Sequence, residues 1–387
     1  MKNLLLSLPP FAPDYSGVCS VFFEFGGVMV IMDASGCTGN YTGYDEPRWA
    51  GSSSRVFCLG LGELDAIFGV EDVVVDKTLR YMEGKSANFV LILGSPVPML
   101  IGADYKAIAS RLEAELGIPI LHFDTTAIPL HDAGAEAAYL ELARRFFRPP
   151  NDKAARSVNI LGAIPLDISQ GTLGDFTELL ADEGYAVNST VSMNSSFDEL
   201  AGCTNASLNV VCSVTGIEAA KYLRKQFDMP YMTGIPIGAE GSKIFLRELS
   251  AVMGGEEYTT PDPPRSGNGF TALILGEQIF AESIKRSLIF DLGFDAGSVD
   301  IASFFMLKDK LRTKDGNTIK LVCEEDLEAL AAERGYDYIF GDPLYASLIE
   351  ARRKFIEIPH VAVSSKVYRD IDVRFICGRF NKLVSLG

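Results

Sequence analysis

Two cysteines near the start of the chain carry side chains that could ligate a metal. Cys19 and Cys37 flank the apolar segment 21–32, whose last part is typical of a buried strand. Cys37 would stand at the carboxyl end of that strand between Gly36 and Gly39, which let a bulky ligand approach the backbone. Thiolates in such a turn suit an iron–sulfur cluster or zinc. The alternative is that both cysteines are core side chains, because free cysteine is among the most buried residue types.

Asp33 and Glu63 are the acidic candidates near these cysteines. Asp33 follows the apolar segment and could ligate iron or relay a proton, and Glu63 could act as an acid. Both have ordinary alternatives, because aspartate commonly caps turns and glutamate commonly opens helices. Cys58 follows the next predicted strand and could therefore also lie near the cluster cysteines, but its apolar neighbours favour a core position. Trp49 is either an exposed interface side chain or a buried core side chain.

The composition is that of an ordinary globular protein and argues against two classes of partner. The 387 residues carry a formal net charge of −16, whereas nucleic-acid binding needs a basic face. No apolar run reaches the roughly 18 residues of a membrane span. The first ten residues lack the features of a secretory signal, so we expect a cytoplasmic protein. The seven cysteines then indicate core, metal or redox residues rather than a disulfide framework.

Apolar strand-like runs alternate with helical patterns along the chain. Runs of this kind, each followed by a turn and by apolar residues at helical spacing, are 87–94, 157–162, 208–212, 270–276 and 338–342. Strand, turn, helix and return strand form a βαβ unit, which implies parallel pairing. In the last unit we place the helix over 344–355 and the return strand over 358–363. The sequence therefore predicts an α/β fold of three tandem Rossmann-like domains with parallel sheets.

Proline-rich segments mark the boundaries between these domains. The linkers are 149–152 and 261–267, which gives domains of residues 1–151, 152–265 and 266–387. No turn carries G-x-G-x-x-G or a P-loop lysine, so a classical NAD or ATP site is not expected. We expect ligands in the cleft between domains, outside the carboxyl ends of the strands.

Several motifs occur in a family-specific order over the first two domains. The first of these motifs contains Cys19. The later ones are, in chain order, 33–37, 63–69, 95–104, 158–162 and 205–211. In this order they resemble the nitrogenase component 1-like oxidoreductase family. That family includes the α and β subunits of nitrogenase, dark protochlorophyllide reductase and the nickel-sirohydrochlorin cyclase. The resemblance implies the same arrangement of Rossmann-like domains.

The resemblance also implies an iron–sulfur cluster at a subunit interface. Cys19, in a glycine-adjacent turn over Ser16–Cys19, and Cys37, in the turn after the apolar segment, take the positions of family cluster cysteines, with Gly36 beside the cluster. Ser95 stands where the family has a third cysteine, and Asp33 stands where the family has a histidine. Two copies of this chain about a two-fold axis would supply four thiolates, the complement of one [4Fe–4S] cluster. A paralogous subunit is the alternative partner.

A second cofactor site would lie between the second and third domains. Cys212 resembles the family's second-domain cysteine, and His360 is the third-domain histidine. Both also fit core positions, which we favour. His122, in a predicted strand, has the same interpretation.

The function implied by the resemblance is reductive. A separate ATP-dependent iron protein would pass electrons to the cluster, and these electrons would reduce a small molecule in the interdomain cleft, with polar groups such as Asp33 and Glu63 supplying protons. The alternative is a non-catalytic scaffold or binding protein for metallocofactor assembly or sensing. A metal-chelate receptor is a third, weaker interpretation.

Overall fold

The fold is built on three parallel sheets flanked by helices. The computed structural model describes residues 6–50, 52, 54–263, 267–311, 317–349, 354–368, 371 and 373–384. Among the described residues, every strand pair in these sheets is parallel. The same part of the chain holds no helix that is long and apolar enough to cross a bilayer. The predicted fold class is confirmed.

The first sheet has the strand order β2-β1-β3-β4. Its strands are β1 Val28–Ile31, β2 Arg55–Cys58, β3 Val90–Leu93 and β4 Ile120–Phe123. The helices of this part are α1 Asp14–Phe22, α2 Gly36–Asn40, α3 Glu63–Phe68, α4 Glu71–Met82, α5 Pro96–Ile101, α6 Tyr105–Leu116 and α7 His131–Phe146. Strands β1 and β3 are buried along their whole length, as expected for central strands covered by helices on both faces.

The second sheet has the order β6-β5-β7-β8, and the third has β11-β10-β9-β12-β13. The strands are β5 Ser157–Leu161, β6 Ala186–Ser189, β7 Leu208–Val211, β8 Tyr231–Thr233, β9 Ala272–Leu275, β10 Val299–Ser303, β11 Thr318–Lys320, β12 Tyr338–Gly341 and β13 Lys354–Glu357. The helices are α8 Gln170–Asp182, α9 Ile217–Phe227, α10 Ala239–Met253, α11 Gln278–Leu292, α12 Glu324–Arg334, α13 Val361–Ser364 and α14 Arg379–Leu383.

Helices α1 and α7 pack together through glycine. A Cβ atom added at Gly17 would lie 1.9 Å from the carbonyl oxygen of His131, and one added at Gly134 would lie 1.9 Å from the carbonyl oxygen of Asp14. No side chain fits at either position, so the two backbones approach directly. This contact fixes the amino end of α7, where His131 is the first helical residue.

Two local predictions were wrong. The Ser16–Cys19 segment belongs to helix α1 and not to a turn. The predicted helix over 344–355 is a short 3₁₀ helix, Pro343–Leu348, and the return strand is β13 instead of 358–363. The strand ends before Pro359 because proline has no N–H for a ladder and favours an extended residue before it.

The predicted domain boundary at 151/152 falls between α7 and β5, whereas the one at 265/266 lies outside the described residues. Both boundaries stay predictions.

Candidate functional site

The carboxyl edge of the first sheet brings two thiols to one aspartate. The register aligns Ile31 with Cys58, so β1 and β2 end together. The backbone N–H of Cys37 donates to Asp33 Oδ2 at 2.7 Å, and the thiol of Cys58 donates to the Asp33 carbonyl oxygen at 3.1 Å. Both cysteines are half-buried, so Cys58 is not the core residue that its neighbours indicated. We call Asp33, Cys37 and Cys58 the thiol edge.

The Cys37 thiol is protonated at neutral pH in the chain by itself. Burial and then the nearby charge of Asp33 raise its pKa to about 11, and Cys58 adds to this effect. A bound metal would reverse this state, because metal ligation requires the thiolate and releases its proton. Cys37 would therefore become a thiolate only when a metal binds.

The other predicted cluster positions do not reach this surface. Cys19 lies within α1 and is 0% exposed, and burial raises the pKa of its thiol well above the usual value. Ser95 is also fully buried, and its hydroxyl donates to the carbonyl oxygen of Met32 at 2.8 Å. Gly36 opens α2 and faces open space. Glu63 is exposed at the first residue of α3. Cys19 and Ser95 do not fit an interface cluster.

Exposed apolar side chains lie on the two short helices that begin at this edge. Helix α3 follows β2, α5 follows β3, and the two helices contact each other. The side chains that form this apolar edge patch are Leu64, Ile67, Phe68 and Leu100, of which Phe68 is 83% exposed and Leu100 is 78% exposed. Exposed apolar clusters of this kind mark interaction surfaces. Trp49 is not part of the patch, because it is half-buried with its ring 6.4 Å from that of Phe23.

A second polar cluster lies buried where the three sheets meet. Nε2 of His131 is 2.8 Å from Asp167 Oδ1, and Nε2 of His360 is 3.3 Å from the same oxygen. The side chains are 1%, 10% and 2% exposed for His131, His360 and Asp167. We call these three residues the His–Asp–His cluster. It joins all three parts of the fold, because α7, the segment after β5 and the segment after β13 each supply one member.

Two members of this cluster, His131 and Asp167, were not predicted from the sequence. His360 was assigned to a strand, whereas the residue precedes α13 as its N-cap. One pattern could have pointed to Asp167, since it follows β5 and ligands gather at the carboxyl ends of parallel strands. The chain has only three histidines, but nothing in their spacing shows that two of them converge. The third, His122, lies near the surface with Nδ1 3.2 Å from Asp124 Oδ1.

Further polar groups surround the His–Asp–His cluster. The Ser213 hydroxyl donates to Asp167 Oδ2 at 2.8 Å. The backbone N–H of His360 donates to Asp342 Oδ2 at 2.7 Å. Glu277 accepts hydrogen bonds from two backbone N–H groups, those of Val214 and Phe280, both at 2.8 Å. Ser213, Glu277 and Asp342 each follow a strand, β7, β9 and β12 respectively, so the carboxyl ends of the second and third sheets face one another here.

The buried charges shift one another's pKa. Burial by itself would raise the pKa of Asp167, but the charges and hydrogen bonds of the two histidines outweigh it and hold that pKa well below the usual range. Burial would likewise lower the pKa of His131, yet the charge and hydrogen bond of Asp167 raise it overall. Burial and then the charge of Asp167 raise the pKa of Glu277 to about 8. The structure therefore favours an ionic Asp167–His131 pair next to a protonated Glu277.

Two open spaces border this cluster. A junction cavity of about 50 Å³ is lined by Asp167, Glu277 and His360 among others. An adjoining groove of about 410 Å³ shares Asp167 and includes Gln170 and Tyr368. Cys212 opens onto neither, since its fully buried thiol donates to the Leu161 carbonyl oxygen at 3.2 Å. The predicted pair of Cys212 and His360 does not fit a large metal–sulfur cofactor.

Glu277 gives a stability prediction of defined sign. Its folded pKa of about 8 lies above the roughly 4.3 of an exposed glutamate, so the folded state binds this proton more tightly, and stability is lost as pH rises between these values. Glu277→Gln, which stays neutral, is expected to flatten that loss and to be more stable relative to wild type at about pH 9 than at about pH 5. Urea unfolding at both pH values measures the difference. Glu63→Gln is the exposed control, and an equal loss in wild type and Glu277→Gln contradicts the prediction.

These features define a three-sheet α/β protein with a thiol-bearing sheet edge and a polar junction. The family model described as nitrogenase component 1 type oxidoreductase matches residues 13–267. Because this match covers more than half of the chain, the protein belongs to that family, as the resemblance predicted.

Curated relatives and solved structures agree with this assignment. A light-independent protochlorophyllide reductase subunit of Cereibacter sphaeroides is 27% identical over 198 residues, which cover 49% of this chain and 38% of the relative. The nitrogenase iron-molybdenum cofactor biosynthesis protein NifE of Clostridium pasteurianum is 26% identical over 203 residues, which cover 52% of this chain and 44% of the relative. The matched regions thus span less than half of each relative. A structure titled nitrogenase Cp1 at pH 6.5 superposes with a TM-score of 0.73 at 12% identity, covering 99% of this chain and 93% of that chain, which shows a shared fold.

Proposed function

We propose that this protein is a nitrogenase-like component that accepts electrons through a [4Fe–4S] cluster held between two copies of the chain. The electrons then reduce a small molecule in the cleft between the sheets. The observation that supports the proposal most is the thiol edge, where Cys37 and Cys58 are both half-buried and each donates a hydrogen bond to Asp33. The apolar edge patch lies on helices that begin at the same edge, as an interface would require.

The donor set fits a shared cluster after one change to the predicted ligands. Cys58 replaces Cys19, so each copy would contribute Cys37 and Cys58, and two copies would supply the four thiolates. When bound, the cluster would carry single electrons. Asp33 positions the Cys37 ligand, because its carboxylate accepts from the backbone N–H of Cys37. The bond from the Cys58 thiol to the Asp33 carbonyl oxygen would break when Cys58 loses its proton, whereas the Gly60 N–H that donates to Cys58 Sγ at 3.3 Å would stay. Covering the apolar edge patch with a partner would exclude water, which tunes the potential of a cluster.

The electron donor in this proposal is a separate ATP-dependent iron protein. The sequence carries neither G-x-G-x-x-G nor a P-loop lysine, so the proposal assigns ATP hydrolysis to that partner. The names of the relatives support a reductive system, since one belongs to a protochlorophyllide reductase. In the alternative assembly, a paralogous chain takes the place of the second copy, and this chain still contributes its thiol edge to the interface.

Iron and acid-labile sulfide in protein purified without oxygen test the cluster assignment. We expect about two irons per chain, since one four-iron cluster would be shared by two chains. Cys37→Ser and Cys58→Ser are each expected to lose most of the iron and to weaken the dimer in sedimentation. Cys377→Ser removes a half-buried thiol outside the thiol edge, in the third predicted domain, and serves as the matched control. Wild-type iron content in both thiol-edge variants contradicts the proposal.

The scaffold alternative has two observations in its favour. The buried Ser95 removes a ligand position, and one relative is named as a cofactor biosynthesis protein. A scaffold releases its cluster to an acceptor, whereas an electron carrier keeps it through repeated reduction. Cycles of reduction and reoxidation, with and without a metal-free acceptor protein, separate the two. Iron that stays on this chain supports the reductase proposal, and transfer of the iron to the acceptor supports the scaffold.

A further inference from the structure

The His–Asp–His cluster presents three ligand atoms to one point. One ring nitrogen of each histidine and one carboxylate oxygen lie within 4.8 Å of one another. Among the described residues, this is the group of three histidine, cysteine or acidic side chains whose ligand atoms converge in this way. The separations from Asp167 Oδ1 are 2.8 and 3.3 Å. Tetrahedral zinc with bonds of about 2.0–2.1 Å places its ligand atoms about 3.3 Å apart. Small side-chain adjustments would therefore convert the cluster into a metal site.

We propose that His131, Asp167 and His360 bind one divalent transition-metal ion at the junction of the three sheets. Two imidazoles and one carboxylate form a nitrogen and oxygen donor set that suits Zn²⁺ or Fe²⁺. The set contains no thiolate, because the nearby Cys212 thiol is directed to a backbone carbonyl oxygen. The site is therefore distinct in chemistry from an iron–sulfur cluster, and it does not depend on the thiol edge.

The open side of the site faces the junction cavity. Asp167 and His360 line that cavity, whose volume of about 50 Å³ has room for a water molecule or a small oxygen ligand. A site with three protein ligands and a solvent-filled fourth position is the pattern of catalytic metal centres. Asp167 also lines the adjoining groove of about 410 Å³. The fourth position of the metal would therefore be filled by water from the junction cavity.

Two hydrogen bonds hold residues of the His–Asp–His cluster in orientation, as the outer contacts of metal ligands do. The Ser213 hydroxyl holds the second oxygen of Asp167, and Asp342 holds the backbone N–H of His360. Such outer contacts orient metal ligands. His131, the third ligand, is fixed by the close contact of its backbone with α1 at Gly17.

His131 Nδ1 is a buried polar atom with no hydrogen-bond partner. In the ionic pair with Asp167, Nδ1 carries a hydrogen that no hydrogen-bond partner accepts, and an unsatisfied buried donor is costly. A metal on Nε2 would take the place of the proton between the ring and Asp167, and the neutral ring would keep its hydrogen on Nδ1. Metal binding therefore leaves no further polar atom of His131 unpaired.

Titration of Zn²⁺ and Co²⁺ into the full-length, tag-free, metal-free protein tests the proposal. Calorimetry is carried out in a Cys37→Ser/Cys58→Ser background, so that the surface thiols do not compete. We expect calorimetry to give one ion per chain. We expect the X-ray absorption spectrum of the zinc form to show two imidazole ligands. Loss of an outer-shell partner typically weakens metal binding about 10- to 100-fold. Asp167→Asn, which removes the carboxylate charge, and His360→Gln, which removes the imidazole, change direct ligands and are each expected to weaken binding by at least this much.

The surface pair of His122 and Asp124 provides the matched control. His122→Gln removes a histidine that also faces a carboxylate, and we expect its metal affinity to equal that of the parent protein. If Asp167→Asn does not fold, His360→Gln and the ligand count of the parent protein decide the question. Absence of binding, or parental affinity in both cluster variants, overturns the proposal and leaves a purely hydrogen-bonded cluster. Iron in the thiol-edge variants reports separately on the proposed electron-transfer function.

Discussion

Asp167→Ala is expected to lower the free energy of unfolding by about 3–5 kcal/mol, because it leaves a buried charged histidine without its partner. The side chains of His131 and Asp167 are 1% and 2% exposed, so water cannot replace the lost contact. The variant also removes the acceptor for the hydroxyl of Ser213. Urea unfolding in the presence of a chelator measures the effect without any contribution from a bound metal.

The pH dependence of this effect has a defined sign. The pKa of Asp167 is lowered, so its contribution is present above the unfolded value of about 4 and is lost only as pH falls through the folded value. The pKa of His131 is raised, so its contribution is present below about 6.5 and is lost as pH rises through the folded value. We therefore expect the difference between wild type and Asp167→Ala to be largest between about pH 4 and 6.5 and to shrink above that range.

The control for this prediction is the exposed pair of His122 and Asp124. Asp124→Ala breaks a histidine–carboxylate contact in which Asp124 is 68% exposed, and an exposed pair contributes about 0–1 kcal/mol. A similar loss of unfolding free energy in Asp124→Ala and Asp167→Ala would show that burial does not strengthen the pair of His131 and Asp167. A loss in Asp167→Ala that grows toward alkaline pH would contradict the assigned pKa directions.

The fold could be predicted because its determinants are local. Apolar runs such as 90–93 become buried strands, and the βαβ order leaves parallel sheets as the arrangement. The misplaced helix over 344–355 shows the limit of this approach. Its apolar spacing fits a helix, but Lys354–Glu357 pairs with β12 across the third sheet. A tertiary contact of this kind overrides local spacing.

The sites were predicted only in part, because their members meet through tertiary packing. Cys37 was found from its turn at the end of β1, and the sequence order of the motifs pointed to the family. Cys19 was placed on a turn, but the helix α1 directs its thiol into the core. Cys58 has apolar neighbours, yet it ends an edge strand and stays half-exposed. The convergence of His131 with Asp167 depends on how the sheets are arranged, which spacing along the chain does not encode.

Gly17→Ala is expected to lower the free energy of unfolding by about 3 kcal/mol or more, at the upper end of the usual cost of overpacking. The new Cβ atom would lie 1.9 Å from the His131 carbonyl oxygen and 2.8 Å from the backbone nitrogen of Ala135. Both contacts are with backbone, so α1 and α7 must move apart. This cost exceeds the roughly 1 kcal/mol that alanine gains over glycine within a helix.

Gly174→Ala is the matched control for Gly17→Ala, since Gly174 lies in helix α8 with nothing within 4 Å of an added Cβ atom. We expect this control to be neutral or more stable by about 0.5–1 kcal/mol. Because α7 begins with His131, separating the helices also displaces the imidazole from Asp167, and Gly17→Ala is therefore expected to bind Zn²⁺ more weakly than the parent protein. Equal stability of the two alanine variants would show that α1 and α7 do not pack this closely. Lost stability with unchanged zinc affinity would show that the helix contact supports the fold without positioning His131.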